Sequence, residues 1–299
     1  MVYKTMKEQF TEKLRLSKKN QEQLVIINSI IEEYAEEGYK LTLRQLYYQL
    51  VSRGLLPENS DKEYSKLSNL IKHGRMAGIV DWDAIEDRTR QPYKEYDVED
   101  ITEAIQDTID QYKLKRHEAQ HIYIELWVEK DALSGVLKRI TNKYGVRLMV
   151  NKGYSSVSAM YDASKRLKYY GDNHDKEQII LYLGDHDPSG LDMIRDIKDR
   201  LNEFGVYPEV RQIGLTKQQI KKYNPPPNPA KIKDPRAKWY IKEHGNVSWE
   251  VDALTPKVLH ELVIKHIEQE IDMVLHNQIL LKEQEDKIIL ERFRDEFEE

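Results

Sequence analysis

Two adjacent tyrosines, Tyr47 and Tyr48, stand in "LTLRQLYYQLVSRG" (41–54). Three carboxylates, Glu129, Asp185 and Asp187, stand in "WVEKDAL" and "GDHDPSG". A tyrosine hydroxyl becomes a nucleophile once a neighbour helps it ionise. Hard carboxylates without sulfur suit Mg²⁺, which can neutralise a phosphate oxygen and stabilise a leaving alkoxide. Residues two apart in an extended segment point the same way, so Asp185 and Asp187 can share one ion. The plainer alternative is a turn, because Asp, Pro, Ser and Gly are turn residues and Asp187 or Ser189 can cap a following helix.

Helix geometry separates the tyrosines. At 3.6 residues per turn, Leu43, Leu46, Tyr47, Leu50 and Val51 share an apolar stripe. Tyr48 lies about 100° further round, beside Arg44 one turn back. Tyr47 is therefore expected in a core, and Tyr48 on the polar side next to a fixed positive charge. Arg44 would favour the phenolate and hold a phosphate. The alternative for Tyr48 is a surface tyrosine that stacks on or hydrogen-bonds to DNA.

These residues need elements to position them. Leu24, Ile27, Ile31 and Tyr34 recur at helical spacing, and Gly38 ends that helix. Thr42 can cap a second helix running to Gly54, and Ser60 or Asp61 a third. The third helix turns Tyr64, Leu67, Leu70 and Ile71 inward and Lys62, Lys66, Asn69 and His73 outward, with Lys72 and Arg75 flanking. Three short helices suit a helix-turn-helix or winged-helix module, with the third as groove reader, or an ordinary helical subdomain. A connecting helix is expected within residues 97–117. Strands at "HIYIELWV", "VRLMV" and "EQIILYLG" alternate with helices, which implies a parallel sheet with right-handed crossovers. Glu129, Asp185 and Asp187 follow strand ends, where ligands bind in open parallel sheets. "YNPPPNPAKIKDP" reads as an irregular loop. From about Pro256 the chain reads as helical, ending in a charged, solvated helix.

The chain has 299 residues, a net charge of −5 and no cysteine. The missing thiols exclude disulfides and thiolate metal sites. His117 and His121 are read as exposed residues near a helix end, not as a zinc site. No apolar run reaches membrane-span length, so a soluble, intracellular protein is expected. Residues 1–75 carry 13 Lys and Arg against 10 Asp and Glu, whereas residues 266–299 carry 4 against 11. A mildly basic front end permits nucleic-acid binding.

"WVEKDAL" and "YLGDHDPSGLDMI" resemble the Toprim segments of the topoisomerase VI A subunit and of its meiotic relative that makes DNA double-strand breaks. "NKGYSS" is similar to that family's Lys-Gly-Tyr-Pro segment, and "SWEVDALTP" to its Glu-x-x-Ala-Leu segment. "TLRQLYYQL" and "GRMAGIV" resemble segments of its winged-helix domain. The order is kept from about Leu41 to Thr255. Gln45 stands where the family usually has Asp or Glu, and the front end is shorter.

The resemblance implies an α/β protein. A CAP-like winged-helix domain (1–95) would precede a connecting helix (96–120) and a Toprim domain with a parallel sheet flanked by helices and a C-terminal helical extension (121–299). It implies a cytoplasmic, nucleoid-associated homodimer that cleaves double-stranded DNA with Mg²⁺. Tyr48 would be the nucleophile, and Glu129, Asp185 and Asp187 the metal ligands. Tyr48 of one subunit would work with the acidic site of the other. Arg44 would hold the scissile phosphate. Independently of the resemblance, the basic residues of the third helix, Lys62, Lys66 and Arg75, are read as contacts to the DNA backbone. No GxxxxGK[ST] loop is present, so strand passage would need a separate GHKL-type ATPase. The competing readings are a Toprim nuclease that uses water and a non-catalytic winged-helix DNA-binding protein.

Overall fold

A computed structural model describes residues 16–86, 96–151, 153–230 and 236–296. Residues 87–90 of the stretch after the third helix, Lys152 of "NKGYSS" and residues 231–235 of the proline-rich stretch lie outside them.

Helix α1 (Lys18–Glu36) is capped by the Ser17 side chain and buries Leu24, Ile27, Ile31 and Tyr34. Gly38 follows with φ +79°, the left-handed region that favours glycine. Strand β1 (Leu41–Thr42) leads into α2 (Leu43–Ser52). Thr42 and Gln45 form a reciprocal capping box, which gives Gln45 a local task where the resembled family has an acid. Ser60 caps α3 (Asp61–Met76), and β2 (Ile85–Glu86) pairs with β1 in parallel. These elements share one apolar core, to which Ala253 also belongs.

Helix α4 (Ile101–Gln111) packs against the last helix of the chain. The following segment corrects the reading of the histidines. His117 is buried against the Tyr123 ring, and only His121 is exposed. The segment is not helical and is tied down from outside itself. Arg116 pairs with Glu283 at 3.0 Å, and Lys176 donates to the carbonyls of His117 and Glu118.

The second part is a mixed α/β unit. Its four parallel strands are β3 (Ile122–Val128), β4 (Arg147–Val150), β5 (Glu177–Leu183) and β6 (Glu209–Gly214), in the order β4-β3-β5-β6. Helices α5 (Ser134–Tyr144), α6 (Val157–Asp172) and α7 (Pro188–Glu203) make the crossovers. Even-numbered β3 residues such as Ile124, Leu126 and Val128 enter one apolar layer with α5. Tyr123 and Trp127 enter the opposite layer with α6 and α7. This period-2 split is what a sheet covered on both faces requires. Glu125 also points into the second layer, fully buried, where Arg166, Tyr123 and Trp127 satisfy its carboxylate.

Strand β6 and helices α8 (Lys217–Tyr223) and α9 (Ala237–His244) are additions to the expected elements. Within the proline-rich stretch, β7 (Asn228–Pro229) pairs antiparallel with β8 (Val247–Ser248), so that stretch is not wholly irregular. A 3₁₀ turn (Val251–Ala253) precedes α10 (Pro256–Glu268) and α11 (Met273–Asp295). Helix α10 completes the first layer. Helix α11 is more than a solvated end: it turns His276 and Glu283 inward and leaves Val274, Leu281, Ile288 and Ile289 exposed. No helix among the described residues is long and apolar enough to cross a membrane.

Candidate active site

The sheet order changes direction between β3 and β5. Such a switch point opens a crevice beyond the carboxyl ends of the strands. Glu129 follows β3 and Asp185 follows β5 at this crevice. The Asp185 N–H donates to Glu129 Oε2 at 3.1 Å, and the Tyr182 hydroxyl lies 3.5 Å from the same oxygen. Burial and the negative charges of Glu129, Asp185 and Asp187 push the Tyr182 phenol well above its ordinary value. All three acids thus act on one neighbourhood.

They have different partners. Asp185 Oδ1 accepts the Val251 N–H at 2.9 Å, and its Oδ2 lies 2.9 Å from Lys130 Nζ. Burial pushes the Asp185 carboxyl upward, and Lys130 opposes that shift. Asp187 caps α7: its Oδ1 accepts the Gly190 N–H at 2.7 Å and the Ser189 hydroxyl at 2.8 Å. The capping role read from "DHDPSG" is therefore real. Gly190 is required there, because a Cβ would come within 2.2 Å of the Asp185 carbonyl oxygen. Among the described residues, no three acidic or histidine side chains converge in a metal-holding arrangement. The cation on Asp185 is the Lys130 ammonium.

Lys130 connects the strand ends to the tyrosine helix. Its Nζ lies 2.7 Å from Glu250 Oε2 and 3.1 Å from Asp252 Oδ1. Arg44 reaches the same two acids, at 2.5 Å to Glu250 Oε2 and 3.2 Å to Asp252 Oδ2. Against the effect of burial, Asp252, Asp185 and Glu250 hold the Lys130 ammonium protonated well above its ordinary range. Burial would raise the Glu250 carboxyl, but Lys130 and Arg44 outweigh it and hold the group at about 2.

Tyr48 lies where this cluster meets the first core. Asn228 Nδ2 donates to the Tyr48 hydroxyl at 3.4 Å and to Glu250 Oε1 at 3.2 Å. The Arg44 guanidinium carbon is 5.9 Å from the Tyr48 ring. Both tyrosines are buried, each 3% exposed, so the polar-side placement of Tyr48 is corrected. The cause is the 3₁₀ turn at Val251–Ala253, which packs on α2 and covers the face that helix periodicity leaves outward. The expected electrostatics also change. Burial, then Asp252 and Glu250, push the Tyr48 phenol up, and the smaller pull of Arg44 does not reverse this. The Tyr47 hydroxyl donates to Asn59 Oδ1 at 3.0 Å, and Asn59 Nδ2 donates to Asn228 Oδ1.

The remaining predicted residues lie on α3. Lys62 is exposed, and Lys66, 60% exposed, pairs with Glu63. The Arg75 guanidinium donates to the carbonyls of Trp82, at 2.8 Å, and Ile85, and stacks near the Trp82 ring. It therefore braces the segment after α3.

Arg44, Tyr48, Glu129 and Asp185 are brought into one connected site, with Asp187 at its edge. Asn228, Glu250 and Asp252 join them without having been singled out for chemistry, as does Lys130, which as a lysine beside Glu129 is left unassigned from the sequence because exposed lysines are common. "SWEVDALTP" held the signal for two of them. No model of a known protein family matches the chain, and neither does any curated protein.

Proposed function

We propose that this protein cleaves double-stranded DNA by tyrosyl transesterification, as a homodimer, in the manner of a topoisomerase VI A subunit with winged-helix and Toprim domains. The supporting observation is continuity: the Tyr48 hydroxyl, beside Arg44, is linked through Asn228 and Glu250 to Lys130 and Asp185 at the strand ends.

The Tyr48 oxygen attacks phosphorus, the 3′ oxygen leaves, and a phosphotyrosyl ester conserves the energy of the broken bond. Resealing then needs no high-energy cofactor. Arg44 has a side chain 47% exposed, so DNA can reach it first, and its planar fork suits a phosphate. Lys62 and Lys66 offer backbone contacts that are salt-dependent and indifferent to sequence.

Charge balance supports a Mg²⁺ ion at the strand ends. Glu129, Asp185, Glu250 and Asp252 place four carboxylates against two cations, Arg44 and Lys130, and buried charge demands compensation. Glu129 and Asp185 would hold the ion, with Asp187 beside them. When bound, it would neutralise a non-bridging phosphate oxygen. Strand passage would need a separate GHKL-type ATPase.

A second reading, a nuclease that uses water, draws on the burial of Tyr48 and its raised phenol. One experiment separates them. Supercoiled DNA is incubated with protein and Mg²⁺, then denatured with detergent. We expect protein covalently attached to DNA ends, lost in Tyr48→Phe and in Asp185→Asn. Cleavage that survives Tyr48→Phe but not Asp185→Asn would establish the hydrolytic reading. Binding without cleavage under any metal, with or without a GHKL-type ATPase, would leave a DNA-binding protein and overturn both.

A further inference from the structure

Proton transfer is the unsolved step for Tyr48. A phenol ionises near pH 10 in water, and this one is buried among carboxylates that raise it further. Arg44 cannot accept the proton. A group that can must lie at the hydroxyl and have an oxygen not already held by a cation.

Three carboxylates of the cluster can be compared. Asp252 directs Oδ1 to Lys130, and its Oδ2 lies 3.2 Å from Arg44 Nε but makes no hydrogen bond, to Tyr48 or to Asn228. Asp185 directs Oδ2 to Lys130 and Oδ1 to the Val251 N–H. Glu250 differs. Both cations lie on its Oε2, and its Oε1 takes the Asn228 amide, which also touches the Tyr48 hydroxyl. One donor, Asn228 Nδ2, therefore fixes nucleophile and acceptor relative to each other. Asn228 is held in turn from α2, through Asn59 and the Tyr47 hydroxyl.

We propose that Glu250 accepts the proton of Tyr48 during attack, and that Asn228, braced by Asn59, is the positioning residue for that transfer. The inference rests on the proposed tyrosyl transfer. The Tyr48 O–H bond breaks and its proton passes to Glu250. The phenolate oxygen bonds phosphorus, the P–O3′ bond breaks, and the 3′ oxygen keeps the electron pair and takes a proton from water. Glu250 then returns its proton to solvent. The two cations assist by their placement. When Arg44 turns to a DNA phosphate, Glu250 loses one of the charges that weaken it as a base.

The test measures single-turnover formation of the covalent adduct by the full-length protein on saturating plasmid DNA with Mg²⁺. Glu250→Gln should slow adduct formation by about 100-fold, the usual scale for loss of a general base, while DNA affinity changes by less than about threefold. Glu250→Asp should recover part of the rate. A more acidic nucleophile needs less help, so a fluorinated tyrosine at position 48 should restore about tenfold to Glu250→Gln and little to the parent. Asn228→Ala should slow the step by about tenfold with unchanged DNA affinity. A purely structural Glu250 would not respond to nucleophile acidity. An unchanged rate in Glu250→Gln, or no rescue by the fluorinated nucleophile, overturns the inference and leaves tyrosyl transfer standing. A parent protein that forms no adduct, with or without a GHKL-type ATPase, overturns both.

Discussion

A helix cap and a metal ligand make different demands on Asp187. Capping α7 needs a short side chain with an acceptor oxygen, which Asn also supplies, whereas holding a cation needs the charge. Asp187→Ala should therefore cost about 1 kcal/mol of stability, and Asp187→Asn only a few tenths. If Asp187 also serves the ion, Asp187→Asn should lose DNA cleavage while its urea unfolding curve stays near the parent's. Comparing the two curves with the two cleavage assays separates the roles. Legibility at this scale follows distance along the chain. Arg44 and Tyr48 are one helical turn apart, and Asp185 ends an apolar strand, so local pattern finds them. The pairing of Arg44 with Glu250 spans 206 positions, and no local pattern marks it. Asn228 lies among prolines, where sequence suggests only a loop. The burial of Tyr48 is likewise a tertiary effect, imposed by the turn at Val251–Ala253.

At the level of elements, caps and punctuation are the readable part. Gly38, Thr42 and Ser60 bound the first three helices because each solves a local problem of unsatisfied backbone groups. The central strands β3 and β5 are apolar runs, as burial on both faces requires. Strand β6 escapes because it is an edge strand of mixed pattern, "EVRQIG", with an exposed Glu209 and only Val210, Ile213 and Gly214 buried. The junction of β5 with α7 is the element contact on which the site depends. The first turn of α7 abuts the Asp185 carbonyl, and Gly190 leaves no space for a methyl group. Gly190→Ala should push the helix start away, cost about 2 kcal/mol, and weaken cleavage more than DNA binding. Thermal unfolding alongside cleavage and gel-shift measurements would check this. Full stability in Gly190→Ala would refute the close approach.

For the whole molecule, pH dependence reports how tightly these parts close. His117 and His186 are each lowered from 6.5 to about 4, chiefly by burial. A histidine neutral in the folded state but able to charge when unfolded favours unfolding as acid is added. Its contribution is complete above pH 6.5 and declines as pH falls towards 4. Stability should drop by an amount on the order of 1–3 kcal/mol between pH 7 and pH 5. Urea midpoints at the two values should show the drop, and His117→Leu should flatten it. The closure has another consequence, in the order in which the protein is made. The first core includes Ala253, and the proposed proton acceptor of Tyr48 is Glu250. On a ribosome, the helix bearing Tyr48 emerges about two hundred residues before either. A prematurely terminated nascent chain would carry Tyr48 without Glu250, Asn228 or the turn that packs on its helix. Under the proposed cleavage activity, late arrival of these pieces keeps unfinished copies harmless.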